Sequence, residues 1–315
     1  MEKLQTTAIE EPKNQFRGEI ILPGDNNYEN SRQIWNGFFD RKPAIIARCI
    51  GSSDVINAVN FARDNNLLTA VKGGGHNSAG NAACDDGIMI DLSFMRRVLV
   101  DKESKTARVD GGCLLGDVDH ETQLHGLSVS AGIVSHTGVG GLTLGGGFGW
   151  ISRKHGLTID NLDSAEVVTA DGKMLTASKT ENPDLFWAIQ GGGGNNGIVT
   201  FLPSDECEIM IPHMEGAPSR VPIDATAFAH RTTHFLLNIH TRWRNQSDDE
   251  RCLAWVRDFH RSTEPFAQGV HVNFLSDEPK DRGKDAYSKD IWQRLVQIKK
   301  RYDPHNFFHP NEPEY

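Results

Sequence analysis

The alternation of apolar and polar positions divides the chain into short strands and helices. Short apolar runs predict buried strands, whereas apolar positions recurring at i, i+3, i+4 and i+7 predict amphipathic helices. Predicted strands cover residues 44–47, 67–71, 88–90, 98–100, 106–109, 165–169, 174–177, 197–201, 235–239 and 272–274. Predicted helices cover residues 28–39, 53–62, 114–124, 183–189, 247–259 and 291–302. The order of these elements predicts a mixed α+β protein.

Polar residues mark the beginnings of several predicted elements. Ser53 can cap the second helix, and Ser247 with Glu250 forms a capping box for a later one. Asn182 followed by Pro183 is typical of a helix start. An Asp-Gly pair at residues 171–172 predicts a tight turn between two paired strands.

The periodic pattern stops between residues 202 and 222, where several prolines occur and no element is predicted. We therefore place a domain boundary there. The sequence predicts a first unit over residues 40–201, an irregular junction over 202–222, a smaller unit over 223–285 and a C-terminal segment over 286–315.

Two glycine-rich runs interrupt the first unit. The first, residues 71–80, contains three consecutive glycines followed by His76, and the second covers residues 137–149. Glycine has no Cβ and tolerates positive φ, so such loops let backbone N–H groups surround an anion. The runs therefore predict a pyrophosphate cradle.

Other nucleotide-binding motifs do not fit these runs. A dinucleotide-binding fold requires Gly-x-Gly-x-x-Gly, but Thr143 stands where the third glycine belongs after Gly138 and Gly140. A P-loop requires a lysine that does not follow Gly145. Two flexible loops without a ligand are the remaining alternative, disfavoured because dense glycine costs conformational entropy on folding.

Composition narrows the possible partners. The chain has 315 residues and a formal net charge of −9, which argues against nucleic acid or an anionic membrane as partner. No apolar run approaches the roughly 20 residues that a membrane helix needs. Residues 1–16 are polar and lack the apolar core of a signal peptide, so we expect a cytoplasmic protein.

Cysteines and histidines form no metal-binding pattern. The five cysteines are scattered and include no Cys-x-x-Cys pair, which predicts free thiols. His230, His234 and His240 are spaced to share one face of a strand, but no His-Glu-x-x-His motif accompanies them. We expect a solvated strand face there and no metal site.

Several motifs resemble the berberine-bridge-enzyme-like FAD-linked oxidases of the vanillyl-alcohol-oxidase (PCMH) superfamily. They are residues 72–76, 138–147, 156–162 and 191–200, with a C-terminal stretch at 287–311. The resemblance implies a PCMH-type FAD-binding domain of two α/β subdomains and a C-terminal BBE-like helix. Between them it implies a truncated substrate domain of antiparallel strands and helices, lacking a long segment between Phe201 and Gly216.

The same resemblance implies FAD as the cofactor, attached covalently through its 8α carbon to His76. The alternative is that His76 only hydrogen-bonds a phosphate or ribose oxygen. Many relatives carry a second tether, a cysteine whose position is Val134 here, so we expect one covalent bond. Expected cofactor contacts are Lys72, Gly73, Gly74, Gly75, His76, Asn77, Ser78, Thr137, Gly138, Gly140, Gly141, Thr143, Gly147, Gly197, Ile198, Val199 and Asn306.

The catalytic base is less evident. Family members often place tyrosines in a Tyr-x-Asn-Tyr strand facing the flavin, and this chain has His271 and Phe274 at those positions. His271 can accept a proton, and period two places it beside Asn273 on one strand face. It is the candidate base, the alternative being a surface histidine. Asn196 replaces an aromatic residue common in the family.

These features predict an FAD-dependent oxidase that transfers a hydride from a hydroxyl or activated C–H of a small organic metabolite to flavin N5, with dioxygen as acceptor. The alternative is a catalytically impaired flavin-binding protein, because the substrate domain is truncated. A truncated domain with few strands also leaves sheet edges open, so we expect either self-association through residues 223–285 or a loosely ordered C-terminal half.

Overall fold

The computed structural model describes residues 16–192, 208–210, 214–240, 249–271, 273 and 284–308, and the structural statements below concern these residues. The strands are β1 (Glu19–Ile21), β2 (Ile45–Arg48), β3 (Thr69–Lys72), β4 (Ile88–Asp91), β5 (Val98–Asp101), β6 (Thr106–Val109), β7 (Ser164–Val168), β8 (Met174–Ser178), β9 (Glu208–Met210) and β10 (Asn238–His240).

The helices are α1 (Tyr28–Ser31), α2 (Ser52–Asp64), α3 (Leu115–Gln123), α4 (Val139–Leu144), α5 (Ser152–His155), α6 (Pro183–Ile189), α7 (Ala217–Arg220), α8 (Asp249–Thr263) and α9 (Lys289–Tyr302). Short 3₁₀ turns occupy Thr158–Asn161 and Glu264–Phe266. The α+β class predicted from the sequence is confirmed.

The first subdomain is built on a four-stranded sheet in the order β1-β2-β4-β3. β1 is antiparallel to β2, whereas β2 and β3 both run parallel to β4. Successive side chains of β2 and β4 alternate between two buried clusters, with Ile45 and Ile88 on one face and Ile46 and Met89 on the other. Because both faces are covered, these strands read as continuous apolar runs.

The second subdomain contains two antiparallel hairpins, β5–β6 and β7–β8. Helix α6 covers the second hairpin, since Leu185, Phe186 and Ile189 form one buried cluster with Ala177 of β8. Gly172 takes a φ of +76° in the turn, as the Asp-Gly pair predicted. The two hairpins and their helices follow the predicted order.

The remaining elements pack back onto this core. β9 and β10 form a two-stranded antiparallel sheet of three residues each. Helix α9 returns to the second subdomain, where Ile291, Leu295 and Ile298 share a buried cluster with Trp187 of α6. Ser288 caps α9 by accepting a hydrogen bond from the Ile291 N–H.

Several boundaries differ from the predictions in the first half of the chain. The helix predicted over residues 28–39 ends at Ser31, and Ser53 lies inside α2, whose N-cap is Gly51. Part of the second glycine run is helical, as α4, although two glycines disfavour a helix. Buried packing of Leu142 against Leu115 stabilises this turn.

The C-terminal predictions are less accurate. The strand predicted over residues 235–239 is the shorter β10, and His271 and Asn273 do not lie in a strand. His230 and His234 precede β10, so the three spaced histidines share no strand face. The strand predicted over 197–201, Asn196, Ser247 and Phe274 lie outside the described residues.

Neither a membrane-spanning helix nor a metal-binding cluster occurs among the described residues. In those ranges, no helix combines the length and the apolar character needed to cross a bilayer. Across the same residues, no group of three or more histidine, cysteine or acidic side chains is arranged to hold a metal ion.

Candidate functional site

Strand β3 delivers the first glycine run to the edge of the sheet. Lys72, its last residue, pairs in register with Asp91 of β4. The Lys72 ammonium donates to the Ser31 carbonyl at 2.8 Å and lies 4.0 Å from the fully buried Asp91 carboxylate. Burial lowers the pKa of Lys72, opposed by Asp91. Because the Lys72 ammonium is engaged by Ser31 and lies near Asp91, a contact between this residue and the cofactor would come from the Lys72 backbone.

The two glycine runs touch each other directly. A Cβ placed on Gly74 would lie 2.4 Å from the Gly138 nitrogen, and one on Gly138 would lie 2.5 Å from the Gly74 nitrogen. A Cβ on Gly73 or Gly140 would approach the Gly111 carbonyl oxygen, at 3.1 and 3.3 Å. The runs therefore form one continuous backbone surface, which residues with side chains could not build.

His76 follows the first run and is 3% exposed. Its Nε2 lies 2.9 Å from Nδ1 of His136, whereas its own Nδ1 has no hydrogen-bond partner. The Trp35 ring stacks on His76 with 5.0 Å between centroids and 7° between planes. Burial, aided by His136, lowers the pKa of His76 to about 4. At neutral pH His76 is thus a neutral imidazole with one unpaired ring nitrogen.

The residues after His76 stabilise the loop itself. The Asn77 side-chain oxygen accepts from the Asn81 N–H at 2.9 Å. The Ser78 carbonyl accepts from the Asn36 side chain at 2.8 Å. Asn77 and Ser78, both expected at the cofactor, therefore also fix the path of the chain that presents His76.

The second run also presents buried polar groups. Thr143 of α4 and Thr158 each have a buried hydroxyl without a hydrogen-bond partner. Gly147 has a φ of +70°, and a Cβ there would lie 2.2 Å from the Thr158 hydroxyl. Thr137 is buried, and its carbonyl accepts from the Leu115 N–H at 2.9 Å. Gly141 lies in α4, where its carbonyl accepts from the Gly145 N–H at 3.4 Å.

Three observations fit an FAD molecule at these loops. Gly74 and Gly138 pack against each other with no room for a Cβ, which joins the two glycine runs whose backbone N–H groups could surround a pyrophosphate. The unpaired His76 Nδ1 is a buried nucleophile, and the hydroxyls of Thr143 and Thr158 are unpaired hydrogen-bonding groups. Val134, at the position of a second tether, has no nucleophilic group.

A cavity of about 1050 Å³ lies between the second run and the C-terminal region. Its lining includes Gly147, Phe148, Phe228 and His271. His271 is 7% exposed and packs edge-on against Phe228 with 5.7 Å between centroids. Burial, aided by His230, lowers the pKa of His271 to about 3. His271 is therefore no surface histidine, although it lies outside a strand.

The structure does not bring all expected cofactor residues together. His76 is absent from the described lining of the cavity that contains His271. Asn306 lies beyond α9 with a φ of +50°, and its N–H donates to the Asp303 carbonyl. Gly197, Ile198 and Val199 lie outside the described residues.

Three side chains near the site were not predicted from the sequence. Trp35 and His136 enclose His76, and the one available signal was that a histidine stands directly before the second glycine run. Arg231 is 1% exposed and joins the C-terminal region to Asp160. Its Nη1 donates to Asp160 Oδ2 at 2.9 Å, and its Nη2 lies 2.8 Å from Oδ1.

The comparisons agree with this geometry. A family model described as FAD binding domain matches residues 43–178, and one described as berberine and berberine like matches residues 270–313. The fold and the glycine loops thus define an FAD-linked oxidoreductase fold with a PCMH-type cofactor domain. The chain contains both of these regions and is similar to FAD-linked oxidoreductases of the berberine-bridge-enzyme-like family.

A curated relative and a solved structure are also similar to this chain. (R)-6-hydroxynicotine oxidase from Paenarthrobacter nicotinovorans is 40% identical over 185 residues, covering 59% of this chain and 40% of that protein. The chain thus spans about two-fifths of the length of this curated relative. BBE-like 1 of Physcomitrella patens has a TM-score of 0.83 at 19% identity, covering 98% of this chain and 100% of that one.

A second solved structure has higher sequence identity over a shorter range. Glucooligosaccharide oxidase from Acremonium strictum, described as having a novel flavinylation, is 35% identical with a TM-score of 0.54. The match covers 56% of this chain and 38% of that one. The match to the hydroxynicotine oxidase and the match to this oxidase each cover a little over half of the chain.

Proposed function

We propose that this protein is an FAD-dependent oxidase that oxidises a hydroxyl or an activated C–H of a small organic metabolite, with dioxygen as acceptor. The observation that carries the proposal is the buried, unpaired Nδ1 of His76 at the end of a two-loop glycine cradle. Bound FAD would supply a ring that accepts a hydride at N5. Its relatives include proteins named as oxidases of hydroxynicotine and glucooligosaccharide.

In this proposal the chain holds FAD through one covalent bond, formed by His76. The backbone of Gly74 and Gly138 would approach the pyrophosphate, and the hydroxyls of Thr143 and Thr158 would hydrogen-bond the cofactor. The low pKa of His76, about 4, keeps its imidazole neutral at physiological pH, which a nucleophile requires. No second tether forms because Val134 replaces the cysteine.

The substrate would enter the cavity beside Gly147 and Phe148, where His271 is the candidate base. A pKa of about 3 leaves His271 neutral and able to accept a hydrogen bond from a substrate hydroxyl. The same low pKa makes it a weak proton acceptor, because the best catalytic pKa lies near the working pH. We expect His271 to orient the hydroxyl as well as to take its proton.

The low pKa of His271 also favours a second candidate function, a flavin-binding protein with little or no turnover. The chain matches about two-fifths of its curated relative, so part of the substrate region of such proteins has no counterpart in that match. Both candidates bind FAD through the same loops, and they differ in whether a substrate reduces it. We place the protein in the cytoplasm in either case.

An absorption spectrum before and after acid precipitation tests the proposal. We expect a yellow protein whose flavin stays in the pellet, because a covalent bond survives unfolding. The folded His76→Ala variant should still bind flavin weakly, since the loops contribute backbone contacts. On acid precipitation it should release this flavin into the supernatant. The exposed His155 provides a matched control, and His155→Ala should behave as the wild type.

The result that contradicts covalent attachment is wild-type protein that loses all its flavin to the supernatant. Bleaching of the visible flavin band by small alcohols or amines under anaerobic conditions would support the oxidase. Persistent colour across a broad panel of such compounds would favour the flavin-binding protein without turnover.

A further inference from the structure

We propose that His136 is a positioning residue that fixes the tautomer of His76 and accepts its Nε2 proton when the bond to the flavin forms. This inference rests on the proposed covalent attachment of FAD through His76. It concerns two imidazole rings separated by 60 positions in the sequence but by 2.9 Å between Nε2 of His76 and Nδ1 of His136.

The hydrogen bond between the two rings allows two arrangements. Either His76 donates from Nε2 and keeps a lone pair on Nδ1, or His136 donates and leaves a proton on the His76 Nδ1. The second arrangement would bury an N–H group without an acceptor, because the His76 Nδ1 has no partner. Buried N–H groups without partners are rarer and costlier than unsatisfied acceptors. The geometry therefore favours His76 as donor.

Trp35 holds both rings in place. Its indole lies parallel to His76 and also contacts His136, with 4.5 Å between centroids and 34° between planes. The Trp35 backbone N–H donates to the Gly75 carbonyl at 3.0 Å, which ties this residue to the first glycine run. His76 thus cannot turn its ring freely, and its unpaired Nδ1 keeps one direction.

The two rings differ in exposure, which gives the proton a route out. His76 is 3% exposed, whereas His136 is exposed to solvent. A proton that leaves His76 Nε2 reaches Nδ1 of His136, and the His136 ring can release its other nitrogen's proton to water. The pair therefore connects a buried nucleophile to solvent.

The reaction balances with dioxygen as oxidant. His76 Nδ1 forms a bond to the 8α carbon, which loses one C–H proton, and the two electrons released pass by way of the flavin to dioxygen. The C–H proton and the proton from His76 Nε2 complete hydrogen peroxide. His136 serves the second of these proton transfers, which restores a neutral imidazole at His76.

The test follows covalent incorporation of FAD into full-length apoprotein by flavin fluorescence in denaturing gels and by intact mass. His136→Ala removes the acceptor and leaves space, whereas His136→Leu removes it and fills the space. We expect both variants to incorporate FAD roughly 100-fold more slowly. Added imidazole should restore the rate of the alanine variant but not of the leucine variant. The exposed His125 is the matched control, and His125→Ala should keep the wild-type rate.

Two results would overturn the inference. One is an unchanged rate in both His136 variants while the wild type incorporates FAD covalently, which would leave the proposed function intact. The other is a ¹⁵N spectrum of the apoprotein that shows the His76 proton on Nδ1, and this readout applies even if the variants fail to fold. A wild type that binds FAD without covalent incorporation would instead contradict the proposed attachment, and the spectrum would still decide the tautomer.

Discussion

The cofactor-binding part of the chain and the part after residue 207 bury their apolar side chains in different ways: the first has clusters of its own, and the second shares its clusters with the first. In the first part, Ile45, Ile46 and Ile88 of the central strands are at most 2% exposed. In the second part, Phe235 is 58% and Leu237 is 37% exposed, next to a large cavity. The cofactor-binding part encloses its own core, whereas burial in the part after residue 207 depends on contacts with its surroundings.

Sheet architecture explains the difference. The sheet of β1 to β4 is covered on both faces, which is the usual condition for parallel strands. Among the described residues, the sheet of β9 and β10 has two short strands, and a two-stranded sheet is marginally stable by itself. The C-terminal region therefore gains order from contacts with the first part, above all from Arg231 and helix α9.

The largest expected effect comes from a glycine in the enclosed part. Gly147→Val should lower the free energy of unfolding by about 4 kcal/mol, because Gly147 has positive φ and no space for a side chain. Gly126 has a φ of +65° but nothing within 4 Å of an added Cβ. Gly126→Val should therefore cost about 1 kcal/mol, from the backbone alone. Urea unfolding measures both values.

Flavin content gives a second measurement on the same loop. Gly140→Val meets the Gly111 carbonyl at 3.3 Å, a tight contact that a small shift relieves. If Gly140 also lies against the cofactor, as the sequence predicts, the variant should fold and lose flavin. For the preceding prediction, Gly147→Val and Gly126→Val variants that lose the same free energy of unfolding would show that the loop around Gly147 is not tightly packed.

The next effect tests the contact between the two parts. Arg231→Leu should cost about 3 kcal/mol, because it leaves the Asp160 carboxylate without the guanidinium in a largely buried place. Limited proteolysis should then cut the C-terminal region first. Arg261 pairs with Asp258 on the surface, so Arg261→Leu is a matched control that should cost less than about 1 kcal/mol.

The smallest effect on stability concerns the exposed apolar residues. We expect the wild type to self-associate through its C-terminal region, and Phe235→Ser with Leu237→Ser should reduce association in light scattering. Unfolding energy should change by less than about 0.5 kcal/mol, since both side chains are exposed. Trp150 of the first part is 83% exposed, and Trp150→Ser is the control for an exposed apolar residue outside the C-terminal region. Loss of association in that variant alone would contradict the prediction.

Local patterns in the sequence identified most of the first part. Apolar runs marked β2 and β4, and the Asp-Gly pair marked the β7–β8 turn. The pattern failed at α4, where packing of Leu142 outweighs the poor helix propensity of glycine. It also failed at His271, whose apparent period of two came from too few residues to indicate a strand.

The sequence by itself determined that a glycine run follows β3, that His76 ends it, and that a second run comes later in the chain. These are properties of neighbouring residues, on which local backbone preferences depend. Only the tertiary structure decided that His136 meets His76 and that Arg231 meets Asp160, pairs separated by 60 and 71 positions. Such contacts depend on how complete elements pack, and no pattern of neighbouring residues records which distant side chains that packing brings together.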